Sequence, residues 1–293
     1  MIARLLGATV RAVLVALLIA VPSLVLPGIG RGAQELSLVL GLICAAVVLV
    51  EYGSSHPGLV EFRFAPPFNR IRFAGLAVTV VALSLMCRAT LEPDPFGATV
   101  LAVGDLVGRA MDLPASPVRI VTVLLSEGEG PEGARLVRAA AGVAYLVSLL
   151  TLAFFAIATR LLHWPLRDGG VNLWVNLPTF DWTEVATIEE RLVRDARVNA
   201  VFGLTLPYFI PLMASLLSGF YALEAVRDYQ TLVWMLALWA FFPASLLMRA
   251  MAMARIAALL RRKRLAHGAG AAPAEPGRAE DAGKAGDDGL AVA

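Results

Sequence analysis

Nearly unbroken apolar runs of bilayer-crossing length recur six times along this chain, at about 5–26, 34–50, 73–91, 136–159, 201–223 and 231–256. A helix needs roughly 20 such residues to cross the hydrocarbon core. Lipid offers no water to backbone N–H and C=O groups, so a spanning segment is either a helix or part of a closed barrel. Runs this long, without the short alternating pattern of barrel strands, predict an all-α polytopic membrane protein with about six transmembrane helices. Composition agrees: 58% of residues are hydrophobic and 16% charged, against roughly 25% charged in soluble domains. The net charge of +2 gives no basic surface for nucleic acid.

Sidedness follows from arginine and lysine, which are disfavoured in translocated loops close to spans. The run Arg261 to Arg264, "RRKR", closes the last span and marks the C-terminus as cytoplasmic. Six spans then put the N-terminus, with Arg4 and Arg11, on the same side, together with inner loops 51–72 and 160–200. Eighteen of the 25 basic residues fall inside under this arrangement and seven outside, so the N-in/C-in assignment is self-consistent. Only Lys263 and Lys284 are lysine, a bias that suggests a GC-rich bacterial genome and hence a multi-pass protein of the bacterial inner membrane. The first span also reads as a signal peptide, but Arg31 stands where a cleavage site needs a small residue. Cys44 and Cys87 lie in apolar spans and read as small fillers, not a disulfide.

The stretch 92–135 forms an outer cap. Asp105, Arg109, Asp112, Pro114, Pro117 and Arg119 interrupt its apolar residues too often for a span. In "FGATVLAVGDLVGRAM", Val100, Val103, Val107 and Met111 share one helical face, and Asp105 and Arg109 lie on another, as in an interfacial helix. Ser116 and Pro117 suit the N-cap and first position of a second short helix.

The inner loops form a candidate platform. In "LVEFRF", Val60, Phe62 and Phe64 alternate with Glu61 and Arg63, and in "VNLWVNLPTF" Val171, Leu173, Val175 and Leu177 alternate with polar residues and Trp174. Two such strand-like segments predict a short β-hairpin-like element at the membrane surface. From Asp181, past Trp182, the apolar stripe Val185, Ile188, Leu192 and Ala196 predicts an amphipathic helix leading into the fifth span. The candidate interaction residues are Phe62, Arg63, Phe64, Phe68, Arg70, Arg72, Trp174 and Trp182, with Phe73 and the other aromatics at headgroup depth and the arginines reaching phosphates or acidic partners.

No catalytic, cofactor or metal constellation stands out. His56, His163 and His267 all fall in loops or the tail, and the charges near spans lie toward helix ends. Proton coupling is therefore disfavoured. Pro207 and Pro211, flanking Tyr208, share a face of the fifth helix and are a candidate kink. Residues 1–265 form the membrane domain, and 266–293, rich in Ala, Gly and Pro, are expected to be a disordered cytoplasmic tail. The sequence is most consistent with a non-enzymatic subunit, scaffold or assembly factor without cofactor, in contact with the bilayer and with other membrane or cytoplasmic proteins. A transporter or channel component for a neutral or weakly charged solute is the alternative.

Overall fold

The computed structural model describes residues 2–54, 58–126, 130–161, 164–165, 176–177, 188–218 and 228–270. Its elements are α1 (Ile2–Val25), α2 (Arg31–Gly53), α3 (Phe68–Leu91), α4 (Pro95–Met111), α5 (Pro117–Leu125), α6 (Pro131–Leu161), α7 (Ile188–Ser218) and α8 (Tyr229–Gly270). Six of these, all but α4 and α5, are long and apolar enough to cross a membrane. The chain is all-helical, with no strand among the described residues. One end of the bundle carries the start of α1, the α2–α3 loop and the α7 entry; this is called the terminal face below. The opposite end carries α4 and α5.

Small residues decide which helices touch. Ala8 and Ala12 of α1 are buried, and a Cβ at Gly41 of α2 would sit 3.4 Å from the Ala16 carbonyl oxygen. In α6 the run Ala139 to Gly142, followed by Ala144, lets α3, α4 and α5 approach closely around a core that includes Val80, Leu83, Val118, Val121, Leu232 and Leu236. Van der Waals contact between small residues, not exclusion of water, is what holds helices together in an apolar solvent. The leucines and valines of α2, among them Leu36, Leu38, Leu42 and Val50, face outward, where lipid tails would cover them.

Several expectations change. Phe62 and Phe64 lie in consecutive turns and Val60 in irregular chain before them, not in a strand, and Phe62 has φ +53°. The partner segment 171–175, the first part of the amphipathic stretch through Val185, and Trp174 and Trp182 lie outside the described residues. The amphipathic helix is no separate element where it is described: Ile188 to Ser218 is one continuous helix, with Leu192 and Ala196 buried. "RRKR" does not end the last helix, which continues to Gly270; residues 271–293 lie outside the described residues.

The largest change is in α4. The face it turns inward is Gly97, Gly104, Asp105 and Gly108, whereas Val103 is exposed. A Cβ at Gly108 would lie 2.7 Å from Ala139 Cα, and one at Gly142 2.6 Å from Gly108 Cα, so α4 and α6 meet backbone to backbone. Asp94 caps α4 by accepting the Gly97 N–H, and Ser116 Oγ accepts the Arg119 N–H at 3.1 Å to start α5. The two cysteines are free thiols.

Candidate functional site at the terminal face

The loop between α2 and α3 is fixed from beneath by two carboxylates. Glu51, near the end of α2, accepts the backbone N–H groups of Gly58, Leu59 and Val60 on one oxygen, at 2.8, 2.9 and 2.9 Å. Its own carbonyl, with that of Ser54, accepts from the Arg63 guanidinium. Glu61 takes a two-pronged ion pair from Arg249 of α8, at 2.6 and 2.7 Å, and Arg249 also donates to Asn199 Oδ1 of α7 at 3.2 Å. This fork geometry is the strongest form of carboxylate recognition. Arg249 lies 20 residues into α8, about 30 Å along the axis, and so toward the end of the bundle opposite the start of that helix.

Between these anchors the chain turns through Phe62, whose positive φ costs a non-glycine residue roughly 1 kcal/mol. What holds it is visible. The Phe62 N–H donates to the Asn176 carbonyl at 2.7 Å, and the Phe64 N–H to Asn176 Oδ1 at 3.2 Å. The Phe62 ring enters a cluster with Phe68 (4.6 Å between centroids) and Trp164 (5.6 Å), which Phe155 closes at 5.2 Å from Phe68 and 5.5 Å from Trp164. The Trp164 indole donates to the Ala65 carbonyl at 2.9 Å. Edge-to-face rings at such spacings contribute about 0.5–1.5 kcal/mol per pair beyond their burial.

The sequence-predicted platform residues are therefore divided. Phe62 and Phe68 are buried inside the protein, and Phe73 is half-buried against the core. Arg72 turns inward, with its Nε 3.3 Å from Ser245 Oγ and its guanidinium against the rings of Phe68 and Phe241. Arg63 lies over the Phe64 ring at 4.4 Å. Outward-facing are Leu59 (70% exposed), Phe64 (51%), Pro66 and Arg70. Sequence reasoning missed Glu61, Asn199, Arg249 and Trp164; the available signal was one acid and one arginine, each isolated beside an apolar run.

Chemically the arrangement fastens. One Glu51 oxygen and both Glu61 oxygens accept hydrogen bonds that hold the loop, and no group of three metal-ligating side chains occurs among the described residues. The prolines of α7 have a use of their own. Pro211 has no N–H to give the carbonyl four residues back, and that carbonyl, of Pro207, accepts the Trp239 indole N–H at 2.9 Å. Tyr208 is partly exposed.

A second polar cluster lies at the opposite end. Asp105 of α4 is buried, with Arg109 at 2.9 Å, Arg138 at 3.1 Å and Arg135 at 3.4 Å. Burial alone would raise its carboxyl, but the Arg138 hydrogen bond and the three positive charges outweigh it and hold the group below the usual carboxylate range. Comparisons with protein-family models, with curated proteins and with solved structures give no match.

Proposed function

We propose that the chain is a non-enzymatic membrane subunit or assembly factor that docks another protein on the terminal face, through Leu59, Phe64, Pro66 and Arg70. The observation that supports this reading is the combination of a loop locked from beneath with large apolar side chains left outside it. A surface already rigid before binding loses little conformational freedom on binding, so few contacts suffice for affinity. The chemistry fits a partner with apolar residues beside an acidic group for Arg70. The arginine distribution puts this face in the cytoplasm.

The test is purification from native membranes in mild detergent, with the composition of the intact particle measured for the wild type and for Leu59→Asp/Phe64→Asp. The expected result is a stoichiometric protein partner that the double variant loses while its own unfolding temperature stays unchanged. A lone monodisperse wild-type species, or a partner retained by the variant, overturns the reading.

A further inference from the structure

Where α4 packs on α6, three guanidinium groups gather around one carboxylate. The Asp105 oxygens are met by Arg109 at 2.9 Å, Arg138 at 3.1 Å and Arg135 at 3.4 Å. We propose that this arginine cluster binds the phosphate of one anionic phospholipid.

Charge and donors are the first argument. Asp105 balances one of the three positive charges, and Asp112, just past the end of α4, is taken by Arg119 at 3.6 Å. Glu132, at the start of α6, is exposed, and the local balance stays positive even when it is counted. Arg109 and Arg135 keep about three-fifths of their side chains exposed while bound to Asp105. A guanidinium has five N–H donors, and one contact with the carboxylate leaves most of them for an outside acceptor. Asp105 thus orients the arginines, and paired phosphate oxygens match the planar fork that each presents.

Depth is the second argument, and it selects a lipid. On α6, Arg138 and Arg160 bracket the uncharged run 139–159. At 1.5 Å per residue this run is about 31 Å long, the thickness of the hydrocarbon core. Arg138 therefore lies at one edge of the apolar layer, where lipid phosphates are. Arg109 leaves α4 between two exposed leucines, Leu106 (62%) and Leu113 (59%). A free phosphate ion gains nothing from those leucines, whereas a phosphate that carries acyl chains does. A zwitterionic headgroup brings its own ammonium to a site already in positive excess, so the preference is for a lipid with net negative charge.

The probe is phosphatidylglycerol, compared with phosphatidylcholine of the same acyl chains, titrated into the purified full chain in detergent and counted per chain by native mass spectrometry. One phosphatidylglycerol should bind in preference to phosphatidylcholine. Each arginine lost should weaken it about fivefold, and Arg109→Gln/Arg135→Gln together roughly thirtyfold. Arg88→Gln, which removes an exposed arginine paired with Glu92 at the same end of the bundle, should leave it unchanged. Equal binding of the two lipids overturns the proposal, as does binding untouched by the double variant or weakened as much by Arg88→Gln. Displacement of the lipid by inorganic phosphate also overturns it, because the site would then serve a free ion. Should the double variant not fold, the single variants decide: a fivefold loss in either supports the proposal, and no loss in both overturns it.

Discussion

The two ends of the bundle solve the same problem, fixing irregular chain at a membrane boundary, by different physics. At the terminal face the α2–α3 loop is held by directional polar bonds sunk below the surface: three N–H groups on Glu51, a forked pair between Glu61 and Arg249, an indole on Ala65. At the other end α4 is held by absence of side chain, with Gly108 and Gly142 in backbone contact, and its polar cluster sits at the rim, where Arg109 and Arg135 are about three-fifths exposed. The first device depends on chemical identity and tolerates change in volume. The second depends on volume and is nearly blind to charge. Each therefore has a characteristic way to fail.

The largest effect is expected at the glycine seam. A Cβ at Gly108 meets the Cα and N of Ala139 and the carbonyl of Arg138, all backbone, so no rotation relieves the clash. Gly108→Val should cost more than about 4 kcal/mol, in the range reserved for gross disruption, and leave little folded protein by size-exclusion chromatography. Gly104→Ala is the internal control. Its Cβ would meet the Met86 Cε at 2.5 Å, the end of a flexible side chain that can move away, so its unfolding midpoint should fall only slightly. Equal damage from both would show that backbone contact is not what seats α4.

Next comes the buried pair. Removing one partner of a largely buried ion pair strands the other, at a cost of about 3–5 kcal/mol where burial is complete; with the Arg249 side chain 30% exposed roughly 2–3 kcal/mol is expected for Glu61→Gln. Replacing both partners by apolar residues, Glu61→Leu with Arg249→Met, should restore a good part of that loss. Denaturant midpoints of Glu61→Leu, Arg249→Met and their double variant decide it: a double variant as unstable as the sum of the two singles would mean the pair carries no coupling. In either case salt should matter little, because the pair is shielded from the solvent ions that screen exposed charges.

The six long helices were legible because the signal is local: apolar length alone selects them. Ser116 and Pro117 were legible for the same reason, a cap being a matter of adjacent residues. Two kinds of feature were not. The Glu61–Arg249 pair joins positions 188 residues apart, and nothing near either residue names the other. The alternation Val60, Phe62, Phe64 matches a strand in period, yet one left-handed residue at Phe62 sends its ring inward and leaves Phe64 outside. The packing of α4 was not legible for a more general reason: the stripe Val100, Val103, Val107 and Met111 does not say which residues meet α6, and beside lipid helices associate through their smallest residues, here Gly104 and Gly108, while Val100 and Met111 pack partly buried against the core.

The smallest effects belong to the Asp105 rim, and they complete the contrast with the buried pair. Arg109→Ala and Arg135→Ala each remove an exposed partner and should cost less than about 1 kcal/mol, as surface pairs do. That cost should shrink toward zero at 1 M salt, where the screening length is only about 3 Å. The sign with pH is fixed by the direction of the shift. Asp105 titrates below its ordinary value in the folded chain, so its contribution is fully present above that ordinary value and disappears as pH falls through the depressed one. Asp105→Asn should consequently be less stable than the wild type near neutrality and should converge on it under acid conditions, with the unfolding midpoint of the wild type falling more steeply in that window. A salt-insensitive loss at Arg109 or Arg135 would mean that the rim is an internal lock like Glu61 and Arg249, and the distinction between the two ends would reduce to the glycine seam alone; a pH profile unchanged by Asp105→Asn would mean that the arginines do not stabilise the Asp105 carboxylate at all.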